Sequence, residues 1–138
     1  MSGKVPVVAH PERYVGCTVE MVNEWRKVGA VIQMDVTAIL GSGRMSELSR
    51  GLLAGGLCDV FASDTHVDRR SLAPVRTWLL ESGTEEHAHL LTKTNAGRLL
   101  ANQETIPVPP LSVDRGVIAR LRDLIIGQRA LDGRRRQW

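Results

Sequence analysis

Three short apolar runs punctuate the chain, "KVPVVAH" from position 4, "AVIQMDV" from position 30 and "CDVFAS" from position 58, all rich in β-branched or small residues. None alternates polar with apolar, and such runs suit strands buried in a sheet covered on both faces. Between them the apolar spacing changes to that of helices. Thr18 can cap a helix through "VEMVNEWRKVG", with Val19, Val22 and Trp25 or Arg26 on one face, until Gly29 stops it. "GSGR" turns the chain into a helix from about Met45 to Ala54, ended by Gly55 and Gly56. A helix through "LAPVRTWLLESG" follows the third run. Then come "TEEHAHLLTKT", opened by Thr84 with Glu86 behind it, and "NAGRLLANQ", opened by Asn95. "IPVPPL" is too rich in proline for a regular element and reads as a linker. Beyond it Asp114 to Ile126 form one amphipathic helix, and the arginine run after Gly127 frays. The chain divides into a body over residues 1–106 and, over 107–138, a linker, a helix and a basic tail. No internal repeat is present.

Strand and helix alternate three times, which argues for parallel βα units, because parallel strands need a crossover between them. In such folds the residues just past the carboxyl ends of the strands share one face, where sites assemble. His10 ends the first strand, Gln33 or Asp35 the second, and Asp64 with His66 the third. Residues distant in sequence are therefore brought together. The first of these ends carries "HPER", and the third "SDTHVDRR", so imidazole, carboxylate and guanidinium recur at both.

Composition narrows the class without naming a reaction. The 138 residues carry a formal charge of +3, much of it in the terminal "GRRRQW", so the body is near neutral and offers neither a nucleic-acid nor a membrane surface. No apolar run approaches the roughly 20 residues of a membrane span, and no export signal stands at the start, which reads as a cytoplasmic chain. Cys17 and Cys58 have neither zinc-type spacing nor the density of a disulfide scaffold. A thiol phosphatase needs an arginine six positions after its cysteine. Here Asn23 and Asp64 stand there instead.

Taken in order, "AHPERY", a glutamine-bearing strand with "GSG" after it, "SDTH" with arginines close behind, and "NAGRLLANQ" resemble one family. They are similar to the capsular-polysaccharide branch of the polymerase and histidinol phosphatase (PHP) superfamily, bacterial manganese-dependent protein tyrosine phosphatases. The resemblance runs from about Val5 to Gln103. It implies an α/β fold, the second half of a partial (β/α) barrel of the PHP type with parallel strands and flanking helices. It also implies that His10, Asp64 and His66 are metal ligands and that Arg13 and Arg70 are catalytic and hold the substrate phosphate. Arg69 competes with Arg70 for that role. Manganese is the implied metal, with iron or zinc as other candidates. The implied partner is a phosphotyrosine protein, a bacterial tyrosine kinase of polysaccharide synthesis, and a homo-oligomer is left open. The chemistry agrees, since imidazole and carboxylate suit such ions and a guanidinium fork matches phosphate oxygens.

The chain also departs from that pattern. The resemblance implies a first strand with a histidine-x-histidine motif and a later metal-binding glutamate, in a barrel of roughly 250 residues. The histidine-x-histidine present, His87 to His89, lies in a helical segment, where positions two apart diverge by about 200°. It reads as surface histidines. The expectation is thus a truncated or split form carrying about half of the ligands, enough for one weakly held ion, with Glu12 or Asp35 as further candidates. Two other readings stay open, a histidinol-phosphatase or other PHP phosphoesterase, and a non-catalytic fragment acting as a partner subunit. Gly41 and Gly43 read as a turn, and Trp25 and Trp78 as core.

Overall fold

A computed structural model describes residues 3–66, 70–81 and 84–114, together with 116, 119, 122 and 123. Strands β1 (Val7–Ala9), β2 (Val31–Asp35) and β3 (Val60–Ala62) form a parallel sheet in the order β1-β2-β3. Ala9 stands opposite Gln33, Gln33 opposite Val60, and Asp35 opposite Ala62. That register ends β2 and β3 level with each other and β1 two residues short of them, with all three carboxyl ends on one side of the sheet. Helices α1 (Val19–Lys27) and α2 (Arg44–Ala54) provide the crossovers, and Thr18 Oγ1 accepts from Met21 N at 3.3 Å as the cap of α1. Two short 3₁₀ turns, Pro11–Arg13 and Val36–Leu40, follow β1 and β2 at the site end.

The core lies on both sides of β2. Ile32 and Met34 are fully buried, as are Val22, Leu52, Leu79 and Leu91 from the surrounding helices. Burying such aliphatic side chains contributes about 1.5–3 kcal/mol each. The first apolar run differs from its expectation of a buried strand, for Val5 is 59% and Val7 48% exposed. The reason is position: β1 is the edge of the described sheet, paired on one side with β2.

Helix α3 (Ala73–Glu81) precedes α4 (Glu85–His89), a π-helical turn (Leu90–Thr94) and α5 (Asn95–Leu100). The last three run on as one helix, so Asn95 opens nothing. Two donors explain the π turn: Arg76 Nη1 and Thr92 Oγ1 both donate to Ala88 O, loading a carbonyl of the helical ladder. Asn95 N then bonds back to Leu90 O. Thr84 starts α4 without a side-chain cap, its hydroxyl donating to Leu79 O instead. Asn95 is wholly buried. Its Nδ2 donates to Asp59 O and Ile106 O, and its Oδ1 accepts from Ile106 N, so one side chain ties α5 to β3 and to the proline-rich stretch.

That stretch has no regular element, as expected of it, and it packs on the body. Leu111 N donates to Leu53 O, His87 Nε2 lies 2.9 Å from Pro109 O, and Val108 is buried. Gly56, at φ 65°, passes so close that a Cβ there would lie 2.8 Å from Val108 O. Most of the segment from Asp114 to Ile126, and the basic tail, lie outside the described residues.

A buried charge pair joins the first crossover helix to the sheet. Asp59, just before β3, accepts from Ile32 N at 2.8 Å and faces Arg26 of α1, whose Nη2 is 3.0 Å from its Oδ1 in an ion pair without hydrogen-bond geometry. Arg26 Nη1 also donates to Gly56 O. Burial raises the Asp59 carboxyl above its ordinary value, against the lowering by the Ile32 amide and Arg26. Removing the cation leaves a buried carboxylate uncompensated. Arg26→Ala is therefore expected to cost about 3–5 kcal/mol in denaturant unfolding, and adding Asp59→Asn should recover at least about 1 kcal/mol of it. Equal costs for the single and double variants would show that the charge pair is not what matters.

Candidate functional site

The site grows out of the register. His10 follows directly on β1, and its N donates to Gln33 O at 2.8 Å, continuing the ladder one residue past the strand. Its backbone then turns left-handed, at φ 52° and ψ 52°, and the 3₁₀ turn Pro11–Arg13 closes with Arg13 N bonded to His10 O. Tyr14 OH donates to Ala9 O across the turn. This reversal sends Glu12 inward and Arg13 across the strand ends. Beyond β3, Asp64 is also left-handed, at φ 48°. Neither residue is a glycine, and such conformations cluster at functional sites.

Arg13 Nη2 lies 2.6 Å from Asp35 Oδ2 and 2.6 Å from Asp64 Oδ2, so one nitrogen bridges the ends of β2 and β3. Asp35 is buried. Its Oδ1 accepts from both Thr37 N and Thr37 Oγ1, which caps the second 3₁₀ turn, and Arg70 Nη1 stands 4.0 Å from its Oδ2. The other oxygen of Asp64 faces two imidazoles, with His66 Nε2 at 3.1 Å and His10 Nε2 at 3.4 Å. Asp64 thus divides its carboxylate between a guanidinium and a pair of histidines. The hydrogen bond from Arg13 holds the Asp64 carboxyl below its ordinary value, and the same bond raises the Arg13 guanidinium.

Beneath these groups lies Glu12, fully buried. Its Oε1 accepts from Asp35 N at 3.0 Å and stands 3.8 Å from His10 Nδ1. Burial raises its carboxyl, against the lowering by backbone amides and the nearby His10. Sequence reading offered Glu12 only as a spare ligand, whereas it is the floor of the site. The signal was a carboxylate sandwiched between Pro11 and Arg13 in a tight turn, where one of three consecutive side chains must point inward.

The structure therefore brings together His10, Arg13, Asp35, Asp64, His66 and, at longer range, Arg70. Arg69 lies outside the described residues. Gln33 sits mid-strand and contributes its carbonyl. Gly41 and Gly43 have packing and backbone reasons of their own: a Cβ at Gly41 would lie 2.6 Å from Ser46 Oγ, and Gly43 takes φ 82° before α2. His87 and His89 part company on the helix, one toward Pro109 O and the other toward Glu85. Both cysteines are buried free thiols, and burial pushes both up, away from thiolate chemistry.

Whether these groups suit a divalent ion is a matter of donor type and spacing. Two atoms each about 2.1 Å from one ion, at adjacent corners of a tetrahedron or octahedron, are about 3.0–3.4 Å apart. The two nitrogen–oxygen pairs on Asp64 have that spacing. Among the described residues no group of three or more His, Cys, Asp or Glu stands ready as a cage, and His66 is 79% exposed. The donor set fits such an ion as an open arrangement sharing one oxygen.

A family model for capsular polysaccharide synthesis, CpsB/CapC, matches residues 1–101. No curated protein matches. Among solved structures, a chain from the crystal structures of YwqE from Bacillus subtilis and CpsB from Streptococcus pneumoniae, described as unique metal-dependent tyrosine phosphatases, superposes with a TM-score of 0.64 at 28% identity. The match covers 82% of this chain and 48% of that one, so the chain spans about half the length of its solved relative. The partial PHP-type fold expected from the motifs agrees with this likeness.

Two measurements test the site. His10→Gly should be at least as stable as His10→Ala, reversing the usual order, because a left-handed backbone costs a non-glycine residue about 1–2 kcal/mol. A clear advantage for alanine would mean that the turn relaxes. For Asp64 the sign is that of a lowered carboxyl: stabilisation is present above the ordinary value of 3.8 and is lost as pH falls through the lower folded value. The parent should therefore lose stability faster than Arg13→Met in unfolding titrations below about pH 4.

Proposed function

The chain belongs to the capsular polysaccharide synthesis family CpsB/CapC, and from that premise we propose that its site serves metal-dependent hydrolysis of phosphotyrosine on proteins that control polysaccharide synthesis. The observation that carries this reading is the meeting, at the ends of three parallel strands, of two imidazoles, a shared carboxylate and two arginines. Relatives described as metal-dependent tyrosine phosphatases support it. The substrate is a bacterial tyrosine kinase of that pathway, the setting is the cytoplasm, and the ion is manganese. No helix among the described residues is long and apolar enough to cross a membrane.

His10, Asp64 and His66 would hold the ion. Bound there, it would supply a Lewis acid for the phosphoryl oxygens and a water acidic enough to attack near neutral pH. The chain's own part is binding and orientation. Arg13 sits across the strand ends with its side chain 43% exposed, close enough to the donors for its fork to receive phosphate oxygens. Arg70 approaches the same place from beyond β3 and is the second phosphate-binding group. Asp35 holds Arg13 in register through a carboxylate that is itself fixed by Thr37 and is too buried to wander. No thiol is needed, and neither cysteine lies among these groups.

Manganese titrated into the chain should bind weakly, because the open donor set provides few contacts, and His10→Ala or His66→Ala should abolish the calorimetric signal. Parent-like binding by both variants would overturn the ligand assignment. With manganese present, phosphotyrosine peptides should be hydrolysed in preference to histidinol phosphate, and Arg13→Ala should slow this at least about tenfold. Turnover confined to histidinol phosphate would replace the tyrosine reading with the other.

A further inference from the structure

Tyr14 is the chain's sole tyrosine, and it stands next to Arg13. Its N donates to Pro11 O at 3.0 Å and its hydroxyl to Ala9 O at 2.8 Å, so it is tied to both residues that flank His10. Pro6 O and His10 N bond to β2, and because backbone groups alternate in direction along a strand, Ala9 O points the other way, to the outer edge of β1. The ring therefore lies along that edge, beside the strand end that carries His10. Trp25 of α1 backs it, with ring centroids 6.3 Å apart and planes tilted by 56°. A residue held at its backbone, its hydroxyl and one side of its ring has little freedom to move, yet Tyr14 is 44% exposed. Phe61 and Trp78 are buried, so among the described residues Tyr14 and its neighbour Trp25 offer what phenyl or indole surface solvent can reach.

We propose that Tyr14, braced by Trp25, is a specificity-determining residue: it receives the aromatic ring of a phosphate monoester whose phosphate lies on Arg13, and so selects aryl over alkyl esters. The inference rests on the reading of Arg13 as a phosphate-binding group and deepens it by naming what recognises the rest of the substrate. Arg13 and Tyr14 leave one turn in different directions, the first over the ends of β2 and β3 and the second along the outer side of β1, with His10 between them. An ester that leans from Arg13 toward β1 thus passes His10 and meets Tyr14. The charged groups of the site bind phosphate whatever its substituent, because their attraction is to the oxygens. An aromatic face does discriminate, since offset or edge-to-face ring pairs are favourable beyond the apolar area they bury. A ring already fixed also loses little conformational freedom when its ligand arrives. The bond to Ala9 O serves the same end, for it engages the hydroxyl and leaves the ring as the surface presented.

The experiment compares phenyl phosphate with ethyl phosphate, which carry the same dianionic head. Labelling the tyrosine ring with ¹³C gives nuclear magnetic resonance signals from Tyr14 alone, and zinc is the added ion because manganese would broaden them. Phenyl phosphate should bind about 3–10-fold more tightly than ethyl phosphate, and its ring current should move the Tyr14 signals while ethyl phosphate leaves them near their free positions. Tyr14→Phe should keep most of the preference, and Tyr14→Leu should bring the two affinities within about twofold of each other. A tyrosine that only locks the turn predicts no preference in the parent and Tyr14 signals indifferent to phenyl phosphate. Either result would overturn the proposal, as would a preference that survives in Tyr14→Leu. Should that variant not fold, the parent's preference and its ring signals decide on their own. Failure of both esters to bind would instead remove the phosphate site, and the proposal with it, so the two readings fail separately.

Discussion

One nitrogen holds the three strand ends in a common arrangement. Arg13 follows β1, Asp35 ends β2 and Asp64 lies just past β3, and Arg13 Nη2 is bonded to both carboxylates. Two carboxylates that close would repel each other without a cation between them. The parallel register makes the meeting geometrically available, and the guanidinium makes it electrostatically tolerable. Because the Arg13 side chain is partly exposed, solvent screens the interaction, and its importance lies in orientation more than in energy. Asp64 Oδ2 is pinned by Arg13, so Oδ1 has no choice but to face the histidines. A cation shared there and a phosphate on the exposed arm of Arg13 would be neighbours by construction.

Such a site needs support from outside itself, and the fold provides it in places remote from the chemistry. His10 and Asp64 each sit in a left-handed conformation that neither would choose, and such a backbone persists only where the surroundings over-determine it. Asp59 anchors the Ile32 amide of β2 and the Arg26 guanidinium from below β3, and Asn95 bonds to the backbone of Asp59 and Ile106. These buried polar ties specify which strand lies where, and the aliphatic core around Ile32, Met34 and Leu91 supplies the bulk of the driving force.

Periodicity and motif spacing made the alternation of strands and helices legible, along with the placement of His10, Asp35, Asp64 and His66 at strand ends. Both follow from local rules that act within a dozen residues. Other features depend on tertiary partners and were not legible. "NAGRLLANQ" looks like a capped start because asparagine is a good cap, yet Asn95 is spent on two distant carbonyls and an amide inside a continuous helix. "IPVPPL" looks like a linker because proline forbids regular pairing, but nothing in its composition says that Leu53 and Gly56 provide a bed for it. "KVPVVAH" looks buried because its residues are apolar, and exposure is decided by its place at the edge of the described sheet. Arg26 passed for a helix-face residue until its partner, thirty-three positions away, was in view.

The same contrast bears on how the site came to be arranged as it is. Charges that face solvent in the sequence pattern, such as Arg13 and His66, carry the groups that would meet a ligand. Charges that no pattern would bury, Glu12, Asp35 and Asp59, do the holding. A buried carboxylate is costly unless its oxygens are used. Asp35 uses both, on Thr37 and Arg13, and Asp59 is matched by Ile32 and Arg26. Glu12 uses Oε1 on the Asp35 amide, and its Oε2 is buried without a hydrogen bond. Buried carboxylates thus hold the strand ends through local bonds, as Asp35 does with Thr37, and through long-range ones, as Asp35 does with Arg13 and Asp59 with Ile32, and the floor of the site is built from the same kind of group.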